Sequence, residues 1–212
     1  MSVLKASWSA FDREIADVYL NGYGHPSLQS KTLMRELLAE MYGDRPFVLA
    51  DFGCGNGHLG PYFRSEGLDC RYIGYDFSTV LLEAGRAQND IDPAISFVEA
   101  DIQDPDLQGE RCDVVLFSHV IEMLQSPQKA LLAARNLSDL VMIRFFEPPW
   151  HAHDATELRM MDVGKGSPPV PYLRRSMSRR AYEGLLAEVG CVRLDVHEVA
   201  VDKDEVHLLH FS

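Results

Sequence analysis

The chain contains no uninterrupted apolar run long enough to cross a membrane, so no transmembrane helix is expected. Its start, MSVLKASWSAFDRE, lacks an apolar core of signal-peptide length, which makes a cytoplasmic location the default expectation. Cysteine is scarce: Cys54, Cys70, Cys112 and Cys191 lie far apart and form no C-x-x-C pair. That argues against a zinc site and against a disulfide framework. Positive charge is also short, with 20 Lys and Arg against 32 Asp and Glu and a net charge of −12. Nucleic-acid binding usually needs a basic stripe, so that partner is not expected.

What remains is the composition of an ordinary globular protein, 46% hydrophobic and 25% charged. A length of 212 residues suits one generous domain. Residues 1–44 read as a helical cap, with Leu33, Met34, Leu37, Leu38 and Met41 at helical spacing. Strands then alternate with helices. Phe47–Phe52, Arg71–Tyr75, Ile95–Glu99, Asp113–Phe117 and Leu140–Phe146 are the strands. His58–Glu66, Ser78–Gln88 and Pro127–Leu137 are the helices, with Ser78 and Ser126 as caps. Such alternation implies an α/β fold, a mostly parallel sheet with helices on both faces.

Residues 148–177 break the rhythm with five prolines and two glycines. Asp154 and Glu157 have capping-box spacing ahead of LRMM, which predicts a short helix inside an otherwise strandless segment. Ser178–Val189 is a further helix. Val192–Val201 and Val206–Phe211 are two strands joined tightly enough to be antiparallel.

Three aspartates punctuate the core at equal steps of 25 residues: Asp51, Asp76 and Asp101, each closing an apolar run. The first leads into the turn Gly53-Cys54-Gly55-Asn56-Gly57, and Gly55, Gly57 and Gly60 satisfy G-x-G-x-x-G. A glycine turn before a helix N-terminus lets a ligand approach the backbone, and a carboxylate about 20 residues on can hold ribose hydroxyls. NAD(P) and S-adenosylmethionine both fit that frame. Charge separates them. Asp51 beside the turn repels a pyrophosphate, whereas S-adenosylmethionine has no phosphate and carries a sulfonium and an ammonium. An opposed pair at 4 Å is worth roughly 4 kcal/mol at an effective dielectric of about 20, before desolvation. The chain also has no tyrosine followed four residues later by lysine, as a short-chain dehydrogenase would require.

With these residues in view, the chain resembles the class I S-adenosylmethionine-dependent methyltransferases of the small-molecule type. LADFGCGNG is similar to their acidic-glycine motif, YIGYDFS to the second motif, FVEADIQD to the third, and CDVVLFSHVIEML to the fourth strand and the turn closing the cofactor pocket. The clear match spans roughly residues 46–146. The resemblance implies a Rossmann-like three-layer sandwich with a seven-stranded, mostly parallel sheet ending in an antiparallel hairpin. It further implies a single domain in four parts: a cap (1–44), a cofactor core (46–146), a lid or substrate segment (147–177) and a C-terminal helix with hairpin (178–212).

By the same resemblance, Asp51, Gly53, Cys54 and Gly55 would surround the methionine part of S-adenosylmethionine. Asp76 would hold the ribose hydroxyls, Phe77 would pack beside the adenine, and Asp101 with the Ile102 backbone would meet the adenine edge. Ser118 or His119 would lie below the amino group. Two departures stand out. Ser138-Asp139 replaces a Gly-Gly turn before the fifth strand, and Met123 stands where relatives commonly carry a histidine.

Methyl transfer needs alignment and exclusion of water, and a base only where the nucleophile must lose a proton. His119, just after the fourth strand, is the first candidate base, and Glu147, after the fifth, is the second. Tyr19 and Tyr23 in the cap, and Trp150 and His151 in the lid, are candidate acceptor contacts. His151 and His153 do not complete a metallohydrolase motif, and no metal is expected. The basic cluster Arg174, Arg175, Arg179 and Arg180 reads as a solvated helix start or as a grip on a substrate carboxylate or phosphate. The expected reaction is methyl transfer to oxygen or nitrogen of a small molecule. An NAD(P)-dependent oxidoreductase, a non-catalytic cofactor-binding subunit and a protein or RNA methyltransferase are the alternatives.

Overall fold

A computed structural model describes residues 29–161, 168–199 and 203–212. The expected acceptor contacts Tyr19 and Tyr23 lie outside the described residues. Helix α1 (Gln29–Tyr42) buries Met34, Leu37 and Leu38, the i, i+3, i+4 stripe that its sequence predicts. Gly43 then closes it with φ 57 and an amide bonded to the Ala39 carbonyl at 2.8 Å. This left-handed C-terminal position suits glycine.

Five strands run parallel: β1 (Phe47–Phe52), β2 (Cys70–Asp76), β3 (Ile95–Glu99), β4 (Val114–Ser118) and β5 (Leu140–Phe145). Helices α2 (Leu59–Ser65), α3 (Thr79–Asn89) and α4 (Pro127–Leu137) lie in the crossovers. After α5 (Arg179–Glu188), strands β8 (Arg193–Glu198) and β9 (Glu205–His210) complete a seven-stranded sheet of order β3-β2-β1-β4-β5-β9-β8. Strand β9 inserts beside β5 and runs antiparallel to it. Its beginning therefore lies at the sheet edge where the parallel strands end.

The central strands are apolar on both sides, as a covered parallel sheet requires. Alternate residues serve different cores. Leu49, Val114, Leu116, Met142 and Leu208 pack under α1 and α2. Ala50, Val115, Phe117, Val141, Ile143 and Leu209 pack on the opposite face with α4 and α5. Strand order reverses between β1 and β4, and the crevice at such a switch point is where open α/β sheets bind ligands.

The expectation for residues 148–177 is corrected. Instead of a short helix in a strandless segment, it forms an antiparallel hairpin of β6 (Ala155–Met161) and β7 (Val170–Ser176). The residues with capping-box spacing are used otherwise. The Asp154 carboxylate accepts from the Ser178 amide at 2.6 Å, and Glu157 pairs across the hairpin with Arg174 in register. Thus the capping-box spacing here marks a strand rather than a helix start. Ser78 and Ser178 do cap α3 and α5, accepting from Leu81 and Ala181 amides. Ser126 precedes α4 without a side-chain cap bond. Its own amide donates to Gln103 at 2.7 Å instead.

Candidate active site

The glycine turn joins β1 to α2. Gly53, Gly55 and Gly57 all have positive φ (76, 57 and 70°), a region L side chains rarely adopt. A Cβ on Gly53 would also sit 2.8 Å from Val120. Val120 belongs to the segment after β4, so the turn and that segment touch. A ligand in the crevice therefore meets backbone on one side and the β4 segment on the other.

Asp51 is within β1 and only 2% exposed. Tyr72, from β2, donates to its Oδ2 at 2.5 Å, while Oδ1 is buried without a partner. Burial, opposed by the Tyr72 bond and aided by Asp76, raises its pKa to about 7. Glycine makes the approach of Tyr72 feasible, since a Cβ on Gly60 would lie 2.8 Å from the Tyr72 ring. Cys54 is buried, a thiol whose pKa burial raises well above its ordinary value. It packs where a Cβ on Gly74 would sit.

Asp76 closes β2. Its oxygens accept from the Gly55 amide and the Ser78 amide, each at 2.9 Å. It therefore ties the glycine turn to the start of α3. Each carboxylate oxygen has a second lone pair, so the group can still take a hydroxyl. Asp101 lies two residues beyond β3, accepts from the Gln103 amide at 3.0 Å, and precedes the buried Ile102. Phe77 is half-buried beside Asp76.

Strand register gives the equal sequence spacing a spatial meaning. Asp51 sits opposite Gly74, and Asp76 sits opposite Glu99. Each aspartate is thus two residues farther along the strand direction than the one before, about 6–7 Å per step. The three form a staircase climbing across β1, β2 and β3.

This arrangement fits S-adenosylmethionine by the structure's own features. An unpartnered, buried carboxylate oxygen is a place for a cation. The positive-φ glycines leave the turn open to a close ligand. No phosphate is accommodated comfortably beside a carboxylate.

Across the crevice, His119 follows β4 with φ 58, unusual for a residue with a Cβ. Its Nε2 lies 3.2 Å from Asp204 Oδ2. Asp204, just ahead of β9 and 3% exposed, also receives Arg144 Nε at 2.9 Å. Burial pushes the Asp204 pKa up, but bonds from His119 and Ser30 and the Arg144 charge outweigh it and leave it below the usual range. Arg144 further reaches Ser118 Oγ at 3.3 Å. Arg144 is an arginine inside an apolar strand, and Asp204 is its carboxylate partner. Two more cationic or basic groups face this cluster. Burial and Arg144 pull Lys31 down to about 8. Burial, then Lys31, Arg144 and His119, pull His58 down to about 3. The His58 Nε2 is shielded and has no partner.

Glu147 is less available than its place in the sequence implies. Arg174 lies 3.3 Å and Arg159 3.4 Å from its oxygens. Burial alone would raise its pKa, but those arginines, with a contribution from His151, hold it below the usual range. Trp150 turns its indole N–H to both Glu205 oxygens at 2.7 Å and carries Arg179 4.4 Å above its ring. His151 is half-buried, with its amide on the Met177 carbonyl. Among the described residues no group of three or more His, Cys, Asp or Glu could hold a metal, and no helix is long and apolar enough to cross a membrane.

Sequence reasoning missed Asp204, Tyr72 and Phe146. The antiparallel hairpin was the available signal for the first, because it turns the start of β9 toward the ligand edge.

Residues 50–138 match the protein family described as a methyltransferase domain. A curated protein, protein arginine N-methyltransferase 1 of Chlamydomonas reinhardtii, is 24% identical over 116 residues. The match takes in 50% of this chain, which spans only a third (33%) of that protein. Among solved structures, the CcbJ methyltransferase from Streptomyces caelestis superposes with a TM-score of 0.71 at 14% identity, covering 100% of both chains. The SAM-bound amino pentose methyltransferase CalS10 from Micromonospora echinaspora gives 0.67 at 16% identity over 92% of this chain and 97% of that one. The 1,6-didemethyltoxoflavin-N1-methyltransferase of Burkholderia thailandensis gives 0.62 at 19% identity over 86% and 78%. At these identities the structures establish a shared fold.

Proposed function

We propose that this chain, whose residues 50–138 match the family described as a methyltransferase domain, is a class I, S-adenosylmethionine-dependent enzyme that moves a methyl group to oxygen or nitrogen of a small molecule. The observation that carries the reading is the pairing of two features across one crevice. One is a phosphate-averse staircase of carboxylates on a glycine turn. The other is a histidine backed by a buried aspartate. Solved structures that share the fold include methyltransferases for an amino pentose and for 1,6-didemethyltoxoflavin, and they support a small acceptor.

When bound, S-adenosylmethionine supplies an electrophilic methyl on a cationic sulfur. Asp51 would hold the ammonium, Asp76 the ribose hydroxyls, and Asp101 with the Ile102 backbone the adenine. Gly53, Cys54 and Gly55 would surround the methionine part, and Ser118 or His119 would lie below its amino group. Asp204 orients His119. With Nε2–H on Asp204, the Nδ1 lone pair is free to take a proton from the acceptor. Arg144 keeps Asp204 ionised. Trp150 and His151, which follow β5 at the same sheet edge, would contact the acceptor.

The first test is thermal. S-adenosylhomocysteine at 100 times its dissociation constant adds about 2.7 kcal/mol, which for a domain of this size raises Tm by roughly 5–11 °C. Stabilisation by NAD(P)H with none by S-adenosylhomocysteine would overturn the reading. The second is kinetic. His119→Ala is expected to lower turnover about 100-fold or more while S-adenosylhomocysteine affinity stays unchanged. Turnover equal to the parent protein removes His119 as the base. Methylation of a protein panel, with none of small hydroxyl or amine compounds, would shift the acceptor class to protein.

A further inference from the structure

The hairpin β6–β7 brings a buried guanidinium to the rim of the site. Arg174, on β7, is 6% exposed, and its Nη2 has no hydrogen-bond partner. Its Nε faces Glu147 only as an ion pair at 3.3 Å. A buried charged donor without a partner is costly, and such groups are rarely left empty without a reason. Arg175 next to it anchors the hairpin, donating to the carbonyls of Leu124 and Gln125. Arg174 is therefore held rather than free to swing into solvent.

Phe146 connects this guanidinium to the candidate base. Its ring is 5.0 Å from the Arg174 carbon and 5.5 Å from the His119 ring centre. It is 54% exposed, so its ring is open to a ligand. The backbone that carries it is fixed from below, where the buried Glu122 accepts from the Phe146 and Glu147 amides at 2.8 and 3.4 Å. An open aromatic face thus has a proton acceptor at one side and an unfilled guanidinium edge at the other. Glu147 neutralises one edge of Arg174 and is itself shared with Arg159, which also pairs with Glu157 at 3.2 Å, so an incoming oxyanion would meet the Arg174 edge that no carboxylate bonds.

We infer that the Arg174 guanidinium edge and the Phe146 ring form an acceptor subsite for a small molecule carrying a carboxylate or phosphate, which would present its nucleophile toward His119. The inference rests on the methyltransferase reading and names the acceptor class that reading leaves open. A guanidinium suits either oxyanion because its paired N–H groups match both geometries. The −12 net charge of the chain does not favour anions in general, so selection must come from this local group.

Calorimetric titration of benzoate, phenyl phosphate and benzamide, with and without S-adenosylhomocysteine, tests it. At least one of the two anions is expected to bind tenfold or more tightly than benzamide. The stronger of the two identifies the oxyanion. Arg174→Gln is expected to erase the preference, and Arg174→Lys to retain part of it should the glutamine variant fold poorly. Equal binding of all three probes, or an unchanged preference in both variants, overturns the subsite. S-adenosylhomocysteine binding is read in the same experiment. Its failure in the parent protein would sink the methyltransferase reading, while its survival in the variants beside a lost anion preference isolates the subsite.

Discussion

Asp51 is buried with one oxygen unpaired, and its pKa of about 7 reflects that burial first. A cation binds best to its ionised form, so cofactor binding releases a proton whenever the free carboxyl is protonated. S-adenosylhomocysteine affinity is therefore expected to rise from pH 5 toward 7 and level off above. Calorimetry in two buffers of different ionisation enthalpy would count the proton. Asp51→Asn should flatten the profile and weaken binding. Tyr72→Phe removes the bond that lowers this pKa and should move the rise to higher pH. In the free protein the stability contributed by the protonated carboxyl is fully present below the ordinary aspartate pKa. It is lost as pH climbs through about 7. Tyr72 could not be picked out from sequence, because a tyrosine 21 residues from Asp51 has no local mark of its partner.

Among the elements, the helices show how a shared residue type carries opposite meanings. Gly85 in α3 is packed so tightly that a Cβ would lie 2.6 Å from the Asn56 carbonyl oxygen. Gly184 in α5 has nothing within 4 Å of that position. Gly184→Ala is expected to stabilise by about 0.5–1 kcal/mol, and Gly85→Ala to destabilise by about 1–3 kcal/mol through overpacking. Denaturant unfolding of both variants would read the contrast, and equal effects would contradict it. The strand–helix succession was legible because the central strands β1 and β4 are short, nearly continuous apolar runs. The hairpin β6–β7 was not. Its exposed Leu158 and Met160 alternate on one strand, yet LRMM following Asp154 and Glu157 suits a helix start equally well. What decides is the pairing of Glu157 with Arg174 and Leu158 with Leu173, a long-range fact.

For the molecule as a whole, β9 ties the two cores together, with Leu208 in one and the fully buried Leu209 in the other. Leu209→Ala is expected to cost about 2–5 kcal/mol, or roughly 4–20 °C in Tm at this size, measured by calorimetry. A change below 1 °C would show that the strand does not join the cooperative core. The resemblance implied the seven-stranded, mostly parallel sheet, and the short connection ahead of Val206 marked the final hairpin as antiparallel. The His119–Asp204 contact was not legible, since 85 residues separate its members. Only the reversed direction of β9 brings them together.

That reversal also imposes an order in time. At about 5–20 residues per second, a ribosome takes roughly 4–17 s to pass from His119 to Asp204. During that interval the glycine turn and all three aspartates already exist in the nascent chain, while His119 still lacks its partner. The aspartate staircase is therefore synthesised before the His119–Asp204 pair can form, and a shortened product ending between the two would lack both that pair and β9, the strand that joins the two cores.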